Sequence, residues 1–139
     1  MELKMTLGDL QAFLAEQFAE VADDFEIMAV APMHLTVKKR VQAKHLRPGG
    51  TVSGPAMFTL ADVGVYLAIL AMIGPKALAV TTNCAIDFMR KPVSDADLIA
   101  EVRLLKLGKV LAVGDVLIHS EGLADPVARA SLTYSIPKG

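Results

Sequence analysis

The chain is poor in the residues that build covalent or metal-based sites. It has 139 residues but a single cysteine, Cys84, and three histidines that lie far apart in the sequence. One cysteine excludes an internal disulfide and a cysteine-based zinc site, and no histidine stands at the spacing of metal ligands. We therefore predict no metal centre, and we interpret His34, His45 and His119 as ordinary polar residues.

The chain also lacks an excess of charge of either sign. Lys and Arg number 14 and Asp and Glu 15, which gives a formal net charge of −1. A neutral total gives no general attraction to nucleic acid, so no nucleic-acid partner is predicted and any anion site must be local. The N-terminus, MELKMTLGDLQAFLAEQF, has acidic residues and no continuous apolar run of the kind that a signal peptide needs. We expect a cytoplasmic protein with no membrane partner.

Aromatic residues are scarce, at 5%, yet hydrophobic residues make up 53% and the mean hydropathy is +0.46. The apolar mass is therefore Ala, Val, Leu, Ile and Met. A chain of this length forms one domain, here residues 1–139, which buries about two-thirds of its unfolded surface. A surplus of apolar residues in so short a chain predicts that some of them are buried against a second copy.

One long apolar stretch, residues 53–73, dominates the sequence and contains a single carboxylate, Asp62. A Ser-Gly pair before Pro55 is typical of a helix start, and a Gly-Pro pair follows the stretch and ends it. We predict a central helix over about residues 54–73.

The predicted helix has two stripes of side chains. Thr59, Asp62 and Tyr66 share one narrow stripe. Small residues form another stripe, roughly opposite, and would let the helix lie very close to a sheet: Ala61, Gly64, Ala68 and Ala71.

Three interpretations of Asp62 are open, because a charge inside a buried segment costs several kcal/mol unless it is paired. It is a structural carboxylate satisfied by its neighbours, part of a transmembrane helix, or a catalytic group. The membrane interpretation fits the context worst. An Asp near the midpoint costs about 2.5–3.5 kcal/mol on insertion scales, and strand-like runs follow at once.

The other segments predict one more helix and a series of strands. The helix covers residues 6 to about 20, and strand material over 25–41 is bent or divided by Pro32. Four further strands are expected as an antiparallel meander, at 79–90, 97–107, 109–120 and 126–136. In the first of these the alternation predicts that the core-facing set is Val80, Thr82, Cys84, Ile86 and Phe88. The order of elements predicts an α+β fold in which an antiparallel β-sheet is wrapped around one long central helix.

The segment GTVSGPAMFTLAD, which begins at Gly50, resembles the helix-entry motif of hotdog-fold acyl-CoA thioesterases of the phenylacetate-pathway (PaaI-like) type. That motif typically reads Gly-x-x-His-Gly-Gly, then six residues, then an acidic residue. Gly50, Gly54 and Asp62 match it. Ser53 stands where the histidine would be, and Pro55 replaces the second glycine.

A second part of the sequence agrees with this resemblance. FMRKP, at residues 88–92, is similar to the family's strand end and its basic, proline-containing turn. The resemblance covers about residues 25–137 and implies the hotdog fold.

The resemblance also implies roles for two residues. The Gly54 N–H would polarise a thioester carbonyl, and Asp62 would attack it or activate a water. Pro55 has no N–H to give, but Gly54 keeps one, and proline is well tolerated in the first turn of a helix. Ser53 could cap the helix or hydrogen-bond near the substrate, but it cannot replace a histidine as a proton carrier.

The spacing of these two residues bears on the assembly. Gly54 and Asp62 are eight residues apart, which is about 12 Å along one helix. One carbonyl cannot lie within about 3 Å of both. If both act on it, they come from two chains whose helices run antiparallel across a two-fold axis. The resemblance to hotdog proteins implies the same assembly, as a homodimer or a dimer-of-dimers tetramer.

Further residues are candidates for binding the substrate. We expect Thr59, Tyr66 or Asn83 of the partner subunit to hydrogen-bond Asp62, and Ser53 to lie near the substrate. The acyl group would be lined by helix residues such as Phe58 and Ile69 and by strand residues of the partner. Phosphates of coenzyme A need local cations, and two groups are candidates for these contacts: Arg90 with Lys91, and Lys106 with Gly108 and Lys109.

We therefore predict an acyl-CoA thioesterase that hydrolyses a medium-chain or aryl acyl-CoA to the free acid and CoA. It would need no cofactor, since the coenzyme A thioester is the substrate. One alternative is a non-catalytic acyl-CoA or lipid-binding module on the same scaffold, which the missing histidine favours. Another is a structural dimeric domain in which Asp62 is a satisfied core carboxylate.

Overall fold

The computed structural model describes residues 2–48, 50–75, 78–93 and 95–137. Within these residues the chain forms two α-helices, α1 (Leu7–Gln17) and α2 (Gly54–Ile73). It also forms six strands: β1 (Phe25–Ala31), β2 (His34–Lys39), β3 (Val80–Phe88), β4 (Leu98–Leu107), β5 (Leu111–Ser120) and β6 (Ala128–Ser135). Gly49 and Ser94, which belong to the loop and the turn on either side of these elements, lie outside the described residues.

The six strands form one antiparallel sheet in the order β1-β2-β4-β5-β6-β3. The predicted sheet around a central helix is confirmed. The predicted four-strand meander is wrong for β3, which pairs with β6 and not with β4. The 20 residues of α2 span about 30 Å, and they carry the chain from β2 across the sheet to its far edge, where β3 begins.

The predicted break at Pro32 is the turn of the β1–β2 hairpin. The next residue, Met33, has a positive φ of 66°. It is held there by two hydrogen bonds, from its N–H to Met72 Sδ at 3.4 Å and from Leu104 N–H to its carbonyl at 2.9 Å.

Helix α2 packs on the sheet through its small residues, as the sequence predicts. Ala61, Ala68 and Ala71 are buried. A Cβ placed on Gly64 would lie 2.8 Å from Val102 Cγ2, so the helix backbone and the sheet are in direct contact at this point. The approach is mutual, because a Cβ on Gly114 of β5 would lie 2.9 Å from both methyl groups of Val65.

Helix α1 begins in a capping box, in which Thr6 and Asp9 exchange hydrogen bonds between side chain and main chain. It is fastened to the edge of the sheet by Gln11, whose side chain donates to Phe25 O at 3.3 Å and accepts from Ile27 N–H at 3.1 Å. Leu14 is buried beneath it. The helix is therefore fixed to β1 by polar as well as apolar contacts.

The inward-facing set predicted for β3 is wrong at its beginning. Val80 is 55% exposed, and Thr81, not Thr82, faces α2. The reason is a β-bulge between Thr81 and Asn83 in the pairing with β6, which shifts the alternation by one residue. After the bulge the alternation agrees with the sequence, since Cys84 and Ile86 pack against the core and the Phe88 ring, although half exposed, lies against Gly54 of α2.

The contact at Gly64 gives a test of the fold. We expect Gly64→Ala to lower the free energy of unfolding by about 1–3 kcal/mol, because the buried Val102 cannot move away. This loss should appear although alanine has a higher helix propensity than glycine by about 1 kcal/mol. Urea denaturation measures it. Gly8→Ala in α1 is the control, since a Cβ there would meet only Thr6 Oγ1 at 3.8 Å and should leave stability unchanged or raised. A Gly64→Ala protein as stable as Gly8→Ala would contradict the packing.

Candidate active site

Asp62 lies in the middle of α2 and is held by two hydroxyl groups from the edge of the sheet. Thr81 Oγ1 and Tyr134 OH each donate to Asp62 Oδ1 at 2.6 Å. Thr81 and Tyr134 are direct cross-strand partners in β3 and β6, so their side chains stand together on the face toward the helix. No other described residue is hydrogen-bonded to this carboxylate, and Oδ2 remains available.

The residues expected to bond Asp62 within its own chain do not do so. Thr59 Oγ1 donates to Pro55 O at 2.9 Å, within its own helix. The Tyr66 hydroxyl is buried and has no hydrogen-bond partner among the described residues. Asn83 is exposed after the bulge, and a contact from the partner subunit stays a prediction.

Neither residue that holds the carboxylate is predicted from the sequence. Thr81 was assigned to the wrong face of its strand, since a bulge leaves no mark in the alternation of side chains. Tyr134 is 72 residues from Asp62. The sequence shows only that Tyr134 belongs to the alternating pattern of the last strand. That pattern indicates which face of the sheet the side chain is on, but not that it contacts Asp62.

A cavity of about 440 Å³ opens beside Asp62. Its polar end is formed by Asp62, Thr81 and Tyr134, and the rest of its lining comes mainly from apolar side chains: Leu14, Phe18, Val21, Val63, Tyr66, Ala79 and Val80. The expected lining by Phe58 and Ile69 is wrong. Ile69 is buried in the core and Phe58 is exposed elsewhere on α2. The part of the wall that α2 does supply is Val63 and Tyr66, and the α1 region adds Leu14 and Phe18.

Tyr66 forms the floor of this cavity within a group of aromatic rings. The Phe18 ring is nearly perpendicular to it at a centroid distance of 5.7 Å, and the Tyr134 ring lies at 6.1 Å. Burial raises the pKa of Tyr66. Burial, and then the hydrogen bond to Asp62, raise the pKa of Tyr134 far above its ordinary value. Both phenols therefore stay protonated at neutral pH, and Tyr134 acts only as a donor to the carboxylate.

A second cavity, of about 520 Å³, lies at the N-terminus of α2. Gly54 is part of its lining, and a Cβ there would lie 3.2 Å from Phe88 Cζ. Ser53 Oγ accepts from Ala56 N–H at 3.2 Å, so this residue caps the helix as the sequence allows. The remaining lining includes three cations: Arg47, Arg90 and Lys91.

The structure brings Arg90 and Lys91 together with Gly54, and it adds Arg47, which the sequence did not indicate. Arg90 is anchored by a hydrogen bond from its guanidinium to Pro126 O. The N–H groups at the start of a helix and these cations all favour negative charge. The second cavity is therefore suited to an anionic ligand.

The other predicted basic group lies far from this cavity within the same chain. Gly108 closes the β4–β5 hairpin, where its N–H donates to Leu111 O at 2.8 Å, and Lys109 is in the same turn. By register this hairpin lies beside the start of β3, whereas Arg90 follows the end of β3. The two ends of that strand are about 26 Å apart.

The two buried tyrosines give a matched test of the site. Tyr66→Phe removes a hydroxyl that has no partner among the described residues, so we expect the free energy of unfolding to rise by about 1 kcal/mol. Tyr134→Phe removes a donor to a carboxylate, so we expect a fall of about 1.5–3 kcal/mol. Urea denaturation of both variants measures the difference. The geometry described here would be contradicted if the two substitutions changed stability in the same direction by the same amount.

Comparison with known proteins identifies the family of this chain. A model of the thioesterase superfamily matches residues 49–126. The matched segment includes Gly54, Asp62 and Thr81, whereas α1 and Tyr134 lie outside it.

Similar proteins have been solved or described in bacteria. A crystal structure from Silicibacter sp. TM1040, provisionally named a thioesterase, is 56% identical, covers 99% of this chain and 96% of that chain, and has a TM-score of 0.93. A Pseudomonas aeruginosa protein, provisionally named an esterase, is 34% identical over 108 residues, 77% of this chain and 78% of that protein. A mutant structure of the phenylacetic acid degradation protein PaaI from Thermus thermophilus is 28% identical, covers 87% and 99% of the two chains, and has a TM-score of 0.72.

Proposed function

The chain belongs to the thioesterase superfamily, and we propose that it hydrolyses a medium-chain or aryl acyl-CoA to the free acid and CoA. One observation carries the proposal. Asp62 lies at the polar end of an otherwise apolar cavity, and two hydroxyls hold one of its carboxylate oxygens while the other is available. A carboxylate placed in this way can act on a carbonyl whose acyl group fills the cavity.

The chemistry needs only Asp62 and an oxyanion donor. In one route Asp62 Oδ2 takes a proton from water, the hydroxide adds to the thioester carbon, and the C–S bond breaks with return of the proton to the thiolate. In the other route Oδ2 itself adds to the carbon, thiolate leaves, and water hydrolyses the resulting anhydride. Both routes give one acid and one thiol. Thr81 and Tyr134 position the carboxylate, because both donate to Asp62 Oδ1 and leave Oδ2 to face the substrate.

We propose that the Gly54 N–H stabilises the oxyanion that forms in either route. The residue lies at the start of a 20-residue helix, where N–H groups have no partner within the helix and the helix dipole favours negative charge. Its cavity also contains Arg47, Arg90 and Lys91, which suit the phosphates of coenzyme A.

Two chains are needed to bring these parts together, and the edge of the sheet supports such an assembly. Strand β3 is an edge strand, and it and the next residue expose three apolar side chains: Val80, Phe88 and Met89. The Asp62 cavity lies at the start of this strand and the Gly54 cavity at its end. Antiparallel pairing of β3 with a second copy would place the Asp62 cavity of each chain beside the Gly54 cavity of the other.

The same pairing would join the two basic groups that are separated within one chain. It would bring Gly108 and Lys109 of one subunit toward Arg90 and Lys91 of the second copy, which favours a shared coenzyme A site in a dimer or a dimer of dimers. Since the reacting groups all come from the polypeptide, we propose that the enzyme needs no cofactor and that the coenzyme A thioester is only its substrate. We also propose that it acts in the cytoplasm.

A second candidate function is a non-catalytic acyl-CoA binding module. It is favoured by Ser53, which stands in the place of the histidine in the PaaI-like motif and uses its hydroxyl to cap the helix. In this case both cavities would bind the ligand, but no thiol would be released.

A thiol-release assay with short, medium, long and aryl acyl-CoAs tests the proposal. We expect hydrolysis by the wild-type protein and a loss of about 10²–10⁴-fold in Asp62→Asn, which keeps the shape and removes the charge. Asp115→Asn is the matched control, because Asp115 is an exposed carboxylate on β5, an interior strand, and lines neither cavity; it should leave turnover unchanged.

The outcomes separate the two candidates. Equal turnover by Asp62→Asn and wild type would refute the mechanism. A rise in melting temperature with acyl-CoA, but no release of thiol by the wild type, would favour the binding module.

A further inference from the structure

We infer that helix α1 forms the far wall of an acyl-binding site for uncharged acyl groups, and that Phe18 sets the acyl length that the site accepts. The inference rests on the proposed thioesterase function, since it takes Asp62 as the point where the thioester carbonyl lies. It goes further because it proposes that α1, a helix outside the segment matched by the family model, contacts the acyl group and limits its length.

The lining of the Asp62 cavity decides which end of the substrate enters it. Away from Asp62, Thr81 and Tyr134, the lining is built mainly from hydrocarbon and aromatic side chains. The one further hydroxyl among the lining residues, that of Tyr66, is shielded from solvent. The pantetheine arm of coenzyme A carries amides, which would lose hydrogen bonds to water without replacement. An acyl chain loses none, so the acyl group occupies this cavity.

The same lining excludes one class of acyl group. A second carboxylate, as in succinyl-CoA, would be placed among apolar side chains and close to the charge of Asp62. Burial of an unpaired charge is costly, and the neighbouring like charge adds to the cost. The site therefore selects aliphatic or aryl acyl groups without charge.

Phe18 lies at an end of the cavity that borders solvent, so a smaller side chain at this position would lengthen the cavity. It follows α1 as its C-cap, lines the cavity, and stacks nearly perpendicular to the Tyr66 ring at a centroid distance of 5.7 Å. Its side chain is 40% exposed, whereas Leu14 is 1% exposed and belongs to the core. Loss of the Phe18 side chain would thus open the end of the cavity to solvent without removing a core residue.

The wall is fixed in place, so it can measure length. Gln11 bonds both Phe25 O and Ile27 N–H of β1. Leu10 and Leu14 are buried in the core. A rigid wall limits an acyl chain by steric exclusion, and a chain that is too long must leave methylenes in water or displace Phe18.

Straight-chain acyl-CoAs from butanoyl to hexadecanoyl test the inference, with kcat/KM measured for each. We expect Phe18→Ala to raise the ratio of long-chain to short-chain kcat/KM by about tenfold or more, because single methylenes in apolar pockets are worth about 10- to 200-fold. Phe13→Ala is the matched control. It removes the same type of side chain, here from within α1. The Phe13 ring also lies near Tyr66, at a centroid distance of 6.4 Å, but Phe13 does not line the cavity. Its ratio should equal that of the wild type. Succinyl-CoA should be the poorest substrate for all three proteins.

A binding measurement separates this inference from the proposed function. The melting temperature is recorded with each acyl-CoA for Asp62→Asn and for Asp62→Asn combined with Phe18→Ala. Stabilisation that moves to longer chains in the double variant supports the wall even if no thiol is released. Hydrolysis with an identical length profile in Phe18→Ala, Phe13→Ala and wild type would overturn the wall and leave the thioesterase standing. No binding and no hydrolysis of any acyl-CoA would overturn both.

Discussion

The structure depends on the way one carboxylate is accommodated in an apolar helix. Asp62 would be costly in α2 without partners, and it receives two short hydrogen bonds from Thr81 and Tyr134. Those two donors can meet it only because β3 lies beside β6 and a bulge turns Thr81 toward the helix. The hydrogen bonds to Asp62 thus depend on three features of the fold: the crossing of the chain over the sheet, the order of the strands and the bulge. The same crossing leaves β3 as an edge strand, which is the surface that a second copy can cover.

The site also keeps features that stability alone would not favour. Tyr66 has a buried hydroxyl without a partner among the described residues, and the Asp62 cavity leaves apolar walls in contact with solvent. Apolar side chains at both ends of β3 are exposed. Local conflicts of this kind are expected where a protein binds a ligand or a partner. Here the Tyr66 hydroxyl, the apolar cavity walls and the exposed side chains of β3 belong to one region of the molecule. Their proximity agrees with a single function for that region.

The sequence predicted those parts of the molecule that local signals encode. The ends of α2 follow from Ser53, Pro55 and Gly74, and its small stripe follows from helical spacing; the structure agrees with both. The place of β3 in the sheet could not be predicted in this way, because strand order depends on pairings between distant residues. The bulge after Thr81 and the contact of Tyr134 with Asp62 could not be predicted for the same reason. The sequence predicted a cavity wall from α2 but not the part that Leu14 and Phe18 add, since amphipathic spacing shows that α1 packs on the fold but not which cavity it closes.

The central claim is that each active site uses Asp62 from one subunit and Gly54 from another, and a subunit-mixing assay tests it most directly. Asp62→Asn and Gly54→Pro, which removes the N–H, should each be inactive alone. After equal mixing and exchange of subunits, half of the dimers are mixed and each has one intact site, so the account predicts recovery of about a quarter of wild-type thiol release. Failure to recover activity, with both variants folded and shown to exchange subunits, would contradict it.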